Sequence, residues 1–177
     1  MSSVNIIQTL VDADLFQTQK TIQRYQFLKI KGETDTNVYF VEEGSVRTFI
    51  MDEDEERIIR FGYKDNIIVS LDSFLSEKPS EFYIQAIKKT TVKIASKKAF
   101  YDFIQSSDEH LRLWTFILED LVLQQIEREK DLLINSPKER FERVLKRSPI
   151  LFQEVPNKYI ANYLRMSPET LSRLKKS

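Results

Sequence analysis

Apolar residues between Asn5 and Phe16 recur near the helical period, at Ile6, Ile7, Leu10, Val11, Leu15 and Phe16, and predict a short amphipathic N-terminal helix. Between Tyr25 and Ile94 the texture changes to short β-branched and aromatic runs: FLKI, NVYFV, VRTFI, RIIRF, NIIVS, FYIQAI and TVKIA, with turn residues between them. Such spacing predicts a compact antiparallel β structure, either a roll or a barrel. All three glycines of the chain lie here. Gly32 and Gly44 follow charged residues at strand ends and Gly62 follows RIIRF, so each is expected to supply a positive φ at a turn. The acidic run Met51 to Glu56 is expected to be a solvated hairpin tip, because a calcium loop needs spaced ligands and a central glycine that are missing from it.

After Ile94 the pattern turns helical. Ser96 is placed to cap a helix through Gln105, with Phe100, Phe103 and Ile104 inward. Ser107 precedes a second helix with acidic residues in its first turn, about 25 residues or about 37 Å long. Leu111, Trp114, Leu118, Leu121, Gln125 and Leu132 form one stripe on it, and Leu113, Phe116, Ile117 and Leu123 broaden the apolar surface beyond one face. A helix of that kind needs more than one packing partner. Asn135, Ser136 and Pro137 break the pattern and supply an N-cap and a first-turn proline, which predicts a boundary between residues 1–135 and 136–177. The helix PKERFERVLKR should bury Phe141, Val144 and Leu145. Asn157 to Lys176 then reads as two short helices joined by a tight turn, with Ile160, Ala161, Leu164, Met166, Leu171 and Leu174 inward. Ser167 caps the second of them, Pro168 takes its first turn, and Glu169 lies near its positive end.

Composition narrows the function classes. The chain has 177 residues, 41% hydrophobic and 31% charged, and no apolar run approaches the ~18 residues of a membrane span. The N-terminus lacks the basic start and apolar core of a signal peptide, so cytoplasmic residence is the default expectation. There is no cysteine, hence no disulfide, thiolate zinc site or cysteine-ligated cluster. His110, the one histidine, reads as a surface residue, and with no second histidine a metal-dependent cupin enzyme is not expected. Neither a G-x-S-x-G elbow nor a Gly-rich phosphate loop is present, and no catalytic constellation emerges. The formal net charge is zero but unevenly spread: from Pro137 to Ser177 ten Lys and Arg face four Asp and Glu, a net +6, and the preceding residues carry −6. This is either a solvated charged surface or the asymmetry of a chain whose C-terminal end meets an anionic partner.

The run GETDTNVYFVEEGSVRTFIMDEDEERIIRF resembles the first half of the β-roll in the cyclic-nucleotide-binding domains of Crp/Fnr transcription regulators, with Gly32, Glu33, Tyr39, Val41, Gly44 and Arg47 at the family's positions. The two closing helices resemble the helix-turn-helix of the same family. The resemblance implies an α+β fold: an antiparallel β-roll of the double-stranded β-helix or jelly-roll kind, flanking helices, a long dimerisation helix, and a small all-α helix-turn-helix domain. It implies a homodimer through the helix around Leu111 to Leu132, and double-stranded DNA as partner.

Carried over position by position, Pro168, Glu169 and Arg173 would face the major groove, with Glu169 accepting from a cytosine amino group and Arg173 binding guanine O6/N7. Pro168 cannot donate, so that base contact is absent or replaced by apolar contact. Thr170, Ser172, Lys175 and Lys176, with the cap Ser167, suit phosphates, and Asn157 and Tyr159 could add backbone contacts. Arg165 stands where the turn ordinarily has glycine, in a position expected to be left-handed. The resemblance also implies a β-hairpin wing after the second helix in many relatives; the sequence has none, so affinity is expected to depend on dimerisation.

The ligand cassette differs more. NIIVSLDSFLSEKPSEFYIQAI has no Gly-Glu pair and no arginine around Pro79 to Phe82, so cyclic AMP is not expected to bind in the family's usual way. Ser70, Ser73, Ser76, Ser80, Lys78 and Tyr83 are candidates for contact with another small effector, and a vestigial pocket is the alternative. The runner-up reading is a small-ligand or protein-binding module whose helix-turn-helix no longer reads DNA.

Overall fold

The computed structural model describes residues 3–176, with side chains from residue 8 onward, so the inward placement of Ile6 and Ile7 lies outside the described side chains. Helix α1 spans Ser3–Asp12, shorter than the sequence pattern suggested: the chain turns at Asp14 with φ 51°, and Leu15 reaches the core from beyond the helix end.

Eight strands follow: β1 Thr18–Ile22, β2 Phe27–Lys29, β3 Val38–Glu43, β4 Ser45–Asp52, β5 Glu55–Tyr63, β6 Ile67–Val69, β7 Tyr83–Ala86 and β8 Thr90–Ala95, with helix α2, Leu71–Ser76, between β6 and β7. They form two four-stranded antiparallel sheets in the orders β1-β8-β3-β6 and β2-β7-β4-β5. Alternate residues of both sheets, Ile22, Leu28, Tyr39, Val41, Val46, Ile68, Ile84, Ala86 and Val92, fill the interior between them. β1 was not expected from the sequence. Its residues Thr18 to Thr21 are exposed and only Ile22 is buried, so its apolar signal is absent and it is held by pairing with β8.

Gly32 and Gly44 have φ of 88° and 91°, as expected at turns. Gly62 does not. It lies inside β5 opposite Val46, and a Cβ there would meet Ile68 Cδ1 at 2.2 Å, so the position needs glycine for close packing and not for a turn. The acidic run forms the tip of the β4–β5 hairpin with Glu53 and Asp54 exposed at the turn.

Helix α3, Lys97–Gln105, is capped by Ser96, and α4, Asp108–Leu133, by Ser107, each hydroxyl accepting from the N–H three residues on. Leu10, Leu15, Val38, Phe74, Phe100, Ile104 and Leu113 form a second core between the roll and these helices. On α4, Leu113 is the buried leucine and Trp114, Ile117, Leu118, Leu121 and Leu132 are half-buried; the predicted Leu111 and Gln125 are exposed. Leu111, Phe116, Val122, Leu123, Ile126 and Leu133 are also exposed, on a second apolar face about 140° wide at 100° per residue.

The break at Ile134 to Ser136 leads into α5, Pro137–Arg147, followed by α6, Leu151–Glu154, which the sequence pattern did not suggest, α7, Asn157–Tyr163, and α8, Pro168–Leu174. Phe141 and Val144 are buried as expected, but Leu145 is exposed and Arg140 takes the inward place on α5. These helices share one core with the outer face of the second sheet: Phe49, Ile58 and Ile87 pack with Phe141, Val144, Leu151, Val155, Tyr159, Ile160, Ala161, Leu164 and Leu171.

Candidate nucleic-acid interface

Ile160, Ala161, Leu164 and Leu171 have no exposed surface, and Ala161 lets α7 and α8 meet closely. Between the helices the Met166 N–H donates to the Ala161 carbonyl at 3.0 Å, which closes the turn. Arg165 has φ 52°, the left-handed geometry expected of that position in the turn. The Ser167 hydroxyl accepts from the Thr170 N–H at 3.2 Å and Pro168 occupies the first turn, so α8 starts as its sequence prescribes.

α8 presents Glu169, Ser172, Arg173 and Lys176 to solvent, at the three- and four-residue spacing that puts them on adjoining parts of one helix surface. The Glu169 carboxyl is held below its ordinary value by its own backbone N–H and the Ser167 hydroxyl, with a smaller contribution from Arg173. It is therefore an acceptor at neutral pH. Thr170 is half-buried and its hydroxyl lies 3.1 Å from that of Ser167. Lys175 is exposed and donates to Asn157 Oδ1 at 2.9 Å. Tyr159 is not on this surface: it is buried under Arg47, whose guanidinium carbon lies 4.5 Å from its ring centroid.

The basic surplus of this end is smaller in space than in sequence. Arg143 and Arg147 converge on Asp131 of α4, which has no exposed surface, at 3.1 and 2.5 Å, and Arg143 also donates to Glu127 at 2.9 Å. Arg140 has main-chain acceptors: the carbonyls of Leu164 at 2.9 Å, Arg165 at 3.1 Å and Asn135 at 3.2 Å, besides Ile134. Arg140, Arg143 and Arg147 are thus turned toward the protein itself. Lys138 and Lys146 of α5 are exposed, as are Lys158, Arg165, Arg173, Lys175 and Lys176 further on. Sequence reasoning missed Arg140 because an arginine in an amphipathic helix ordinarily marks its solvent side.

In the roll, Ser70, Ser73 and Ser80 are buried together near the start of α2, and Tyr83 is elsewhere, stacked on Phe49 at 5.1 Å. The Ser70 and Ser80 hydroxyls lie 3.1 Å apart, Ser73 accepts from the Asp35 N–H at 2.9 Å and donates to the Lys78 carbonyl at 2.7 Å, and Ser80 accepts from the Phe82 N–H at 3.0 Å. The Ser76 hydroxyl donates to the Asp72 carbonyl at 2.6 Å, while Lys78 is exposed. Lys29, 2% exposed, donates to the Phe82 carbonyl at 2.6 Å. Burial lowers its affinity for a proton, opposed by the charges of Asp72, Asp35, Glu33 and Glu81. Its sequence signal is a lysine inside the run FLKI, which the pattern predicts only as a strand.

These residues do not fit a cyclic phosphate. The hydroxyls already serve one another and the main chain, the buried ammonium is taken by the Ser80 and Phe82 carbonyls, and among the described residues no arginine pairs with the cluster.

Residues 19–107 match the family described as the cyclic nucleotide-binding domain. The chain belongs to that family. Its fold is similar to that of FixK2 from Bradyrhizobium japonicum, at TM-score 0.71 and 18% identity over 90% of this chain and 82% of that one. A mutant of CooA from Carboxydothermus hydrogenoformans gives 0.69 and 17% over 90% and 74%. A transcriptional regulator of the CRP family from Thermus thermophilus gives 0.64 and 17% over 89% and 82%. At such identities the likeness is one of fold, and it extends past the family's roll into the helices that follow. No curated protein matches the sequence. Within the described residues no helix is long and apolar enough to cross a membrane, and no group of three or more His, Cys, Asp or Glu is arranged to hold a metal ion.

Proposed function

We propose that the protein is a homodimeric DNA-binding transcription regulator of Crp/Fnr type, with residues 136–177 as the reader and residues 1–135 as a roll that does not take cyclic AMP. The observation that carries this reading is the capped helix α8, whose exposed face bears Glu169 and Arg173 while its opposite face is buried. A carboxylate and a guanidinium one turn apart match the donor of cytosine and the acceptors of guanine in the major groove. Ser167, Thr170, Ser172, Lys175 and Lys176 would hold phosphates, which set register.

The exposed face of α4, from Leu111 through Phe116, Leu123 and Ile126 to Leu133, supports pairing with the same helix of a second copy. Two readers joined in that way would stand about 34 Å apart on a two-fold site. Such a protein works as a binder and not as a catalyst, in the compartment that holds the DNA.

Selection of the full chain against a randomised duplex pool at several salt concentrations tests the reading. A two-fold preferred site, with affinity falling as salt rises, is expected. Salt-sensitive binding without sequence preference, or no binding, would favour instead a module whose closing helices no longer read DNA.

A further inference from the structure

The second sheet ends in β5, whose outer edge pairs with no other strand among the described residues. An uncovered edge presents unpaired N–H and C=O groups. At one point this edge is paired by a side chain. The Asn162 amide, near the end of α7, accepts from the Ile58 N–H at 3.0 Å and donates to the Glu56 carbonyl at 2.8 Å. A carboxamide presents a donor and an acceptor side by side, so it matches a strand edge as another strand would. The β4–β5 ladder slips by one residue between Thr48 and Phe49, leaving Ile59 without a partner beside the amide that Asn162 takes.

The next residue ties the same helix end elsewhere. The Tyr163 ring lies 5.4 Å from that of Phe61 on β5, the Arg128 guanidinium of α4 stacks on it at 3.7 Å, and Arg128 donates to the Tyr163 carbonyl at 2.8 Å. Arg140 then takes the carbonyls of Leu164 and Arg165. The end of α7 is thus held to the hairpin, to α4 and to α5 at successive residues, and α8 follows after one short turn. α8 itself stays exposed on its outer side, so this attachment places the reader without masking it.

We infer that Asn162 is a positioning residue for DNA reading: by pairing with the β5 edge it fixes α8 relative to α4, so that the dimer holds one half-site spacing with no ligand in the roll. This rests on the DNA-reading dimer proposed above. The closed serine cluster beside Lys29 agrees with it, since a spacing set by the fold leaves the roll nothing to sense there.

The test uses the full chain, without added ligand, on duplexes carrying two copies of the selected half-site separated by spacers that change one base pair at a time, and on a single half-site. The native chain should show one spacing preferred about tenfold over its neighbours. Asn162→Ala should flatten that preference to about twofold or less while binding the single half-site as the native chain does. Asn162→Asp, which keeps an acceptor for the Ile58 N–H but sets a carboxylate against the Glu56 carbonyl, should flatten it too, and its urea transition shows whether the chain is folded. A spacing preference unchanged in both variants overturns the inference, as does an equal loss on single and paired half-sites, which marks a purely structural role. A native chain that selects no half-site defeats the DNA-reading proposal and this inference together, whereas selection with no spacing optimum defeats this inference alone.

Discussion

Arg140 Nε donates to the Leu164 carbonyl at 2.9 Å, and through this bond α5 closes the turn between α7 and α8. A guanidinium here serves carbonyls at the negative end of α7, where a cation is favoured, and its five donors let it reach the following carbonyl and the α4–α5 connection as well. Arg140→Met leaves those carbonyls without their donors and should destabilise the chain by roughly 2–3 kcal/mol, read from urea unfolding. Arg140→Lys, a point charge without the fork, should recover only part of the loss.

The same turn holds Arg165 in left-handed backbone at φ 52°. Arg165→Gly removes that strain and should stabilise by about 1 kcal/mol, or a rise in Tm of about 2–4 °C for a chain of this size. A fall in Tm would mean that the exposed side chain contributes more than its backbone costs.

Much of the helical structure was legible because capping and helical burial are local: Ser96, Ser107, Ser136 and Ser167 all cap as the sequence suggests. What was not legible depends on contacts distant in sequence. Asn162 meets Ile58 across more than a hundred positions, Tyr159 is drawn under Arg47, and β1 carries almost no apolar pattern because Ile22 is its one buried residue. Gly62 illustrates the limit well: its place after RIIRF suggests a turn, but its reason is Ile68, which only the pairing of strands brings near.

That cause is separable by a double mutant. Gly62→Ala should destabilise by about 1–3 kcal/mol through overlap with Ile68. Combined with Ile68→Ala, the loss in urea unfolding should be clearly smaller than the two single losses together, because the second change removes the atoms that the first one strikes.

Asp72 should contribute to the acid side of the stability curve. Burial alone would raise its pKa above the ordinary 3.8, but hydrogen bonds from the Ser80 and Ser70 hydroxyls and the Ser73 and Glu81 backbone N–H groups outweigh burial and lower it. A carboxyl lowered on folding stabilises fully above its unfolded pKa, and that contribution is lost as pH falls through the folded value. Asp72→Asn should therefore flatten the loss of stability below about pH 4 relative to the native chain. An unchanged acid limb in thermal unfolding from pH 3 to 6 would contradict this account of the serine cluster.

The exposed apolar face of α4 predicts concentration-dependent assembly. Leu123→Glu with Ile126→Glu places two charges on the face that the proposed dimer buries, and should shift sedimentation equilibrium to monomer with little change in helix content. The variant should bind the selected two-fold site about as weakly as a single half-site.

The central claim is that α8 reads bases, and Arg173 tests it most directly. On the site selected by the native chain and on its single-base variants, Arg173→Ala should lose roughly 1–3 kcal/mol of binding free energy on the preferred site and become indifferent to one base pair in each half-site. An equal loss on every sequence would place Arg173 on a phosphate and contradict the account.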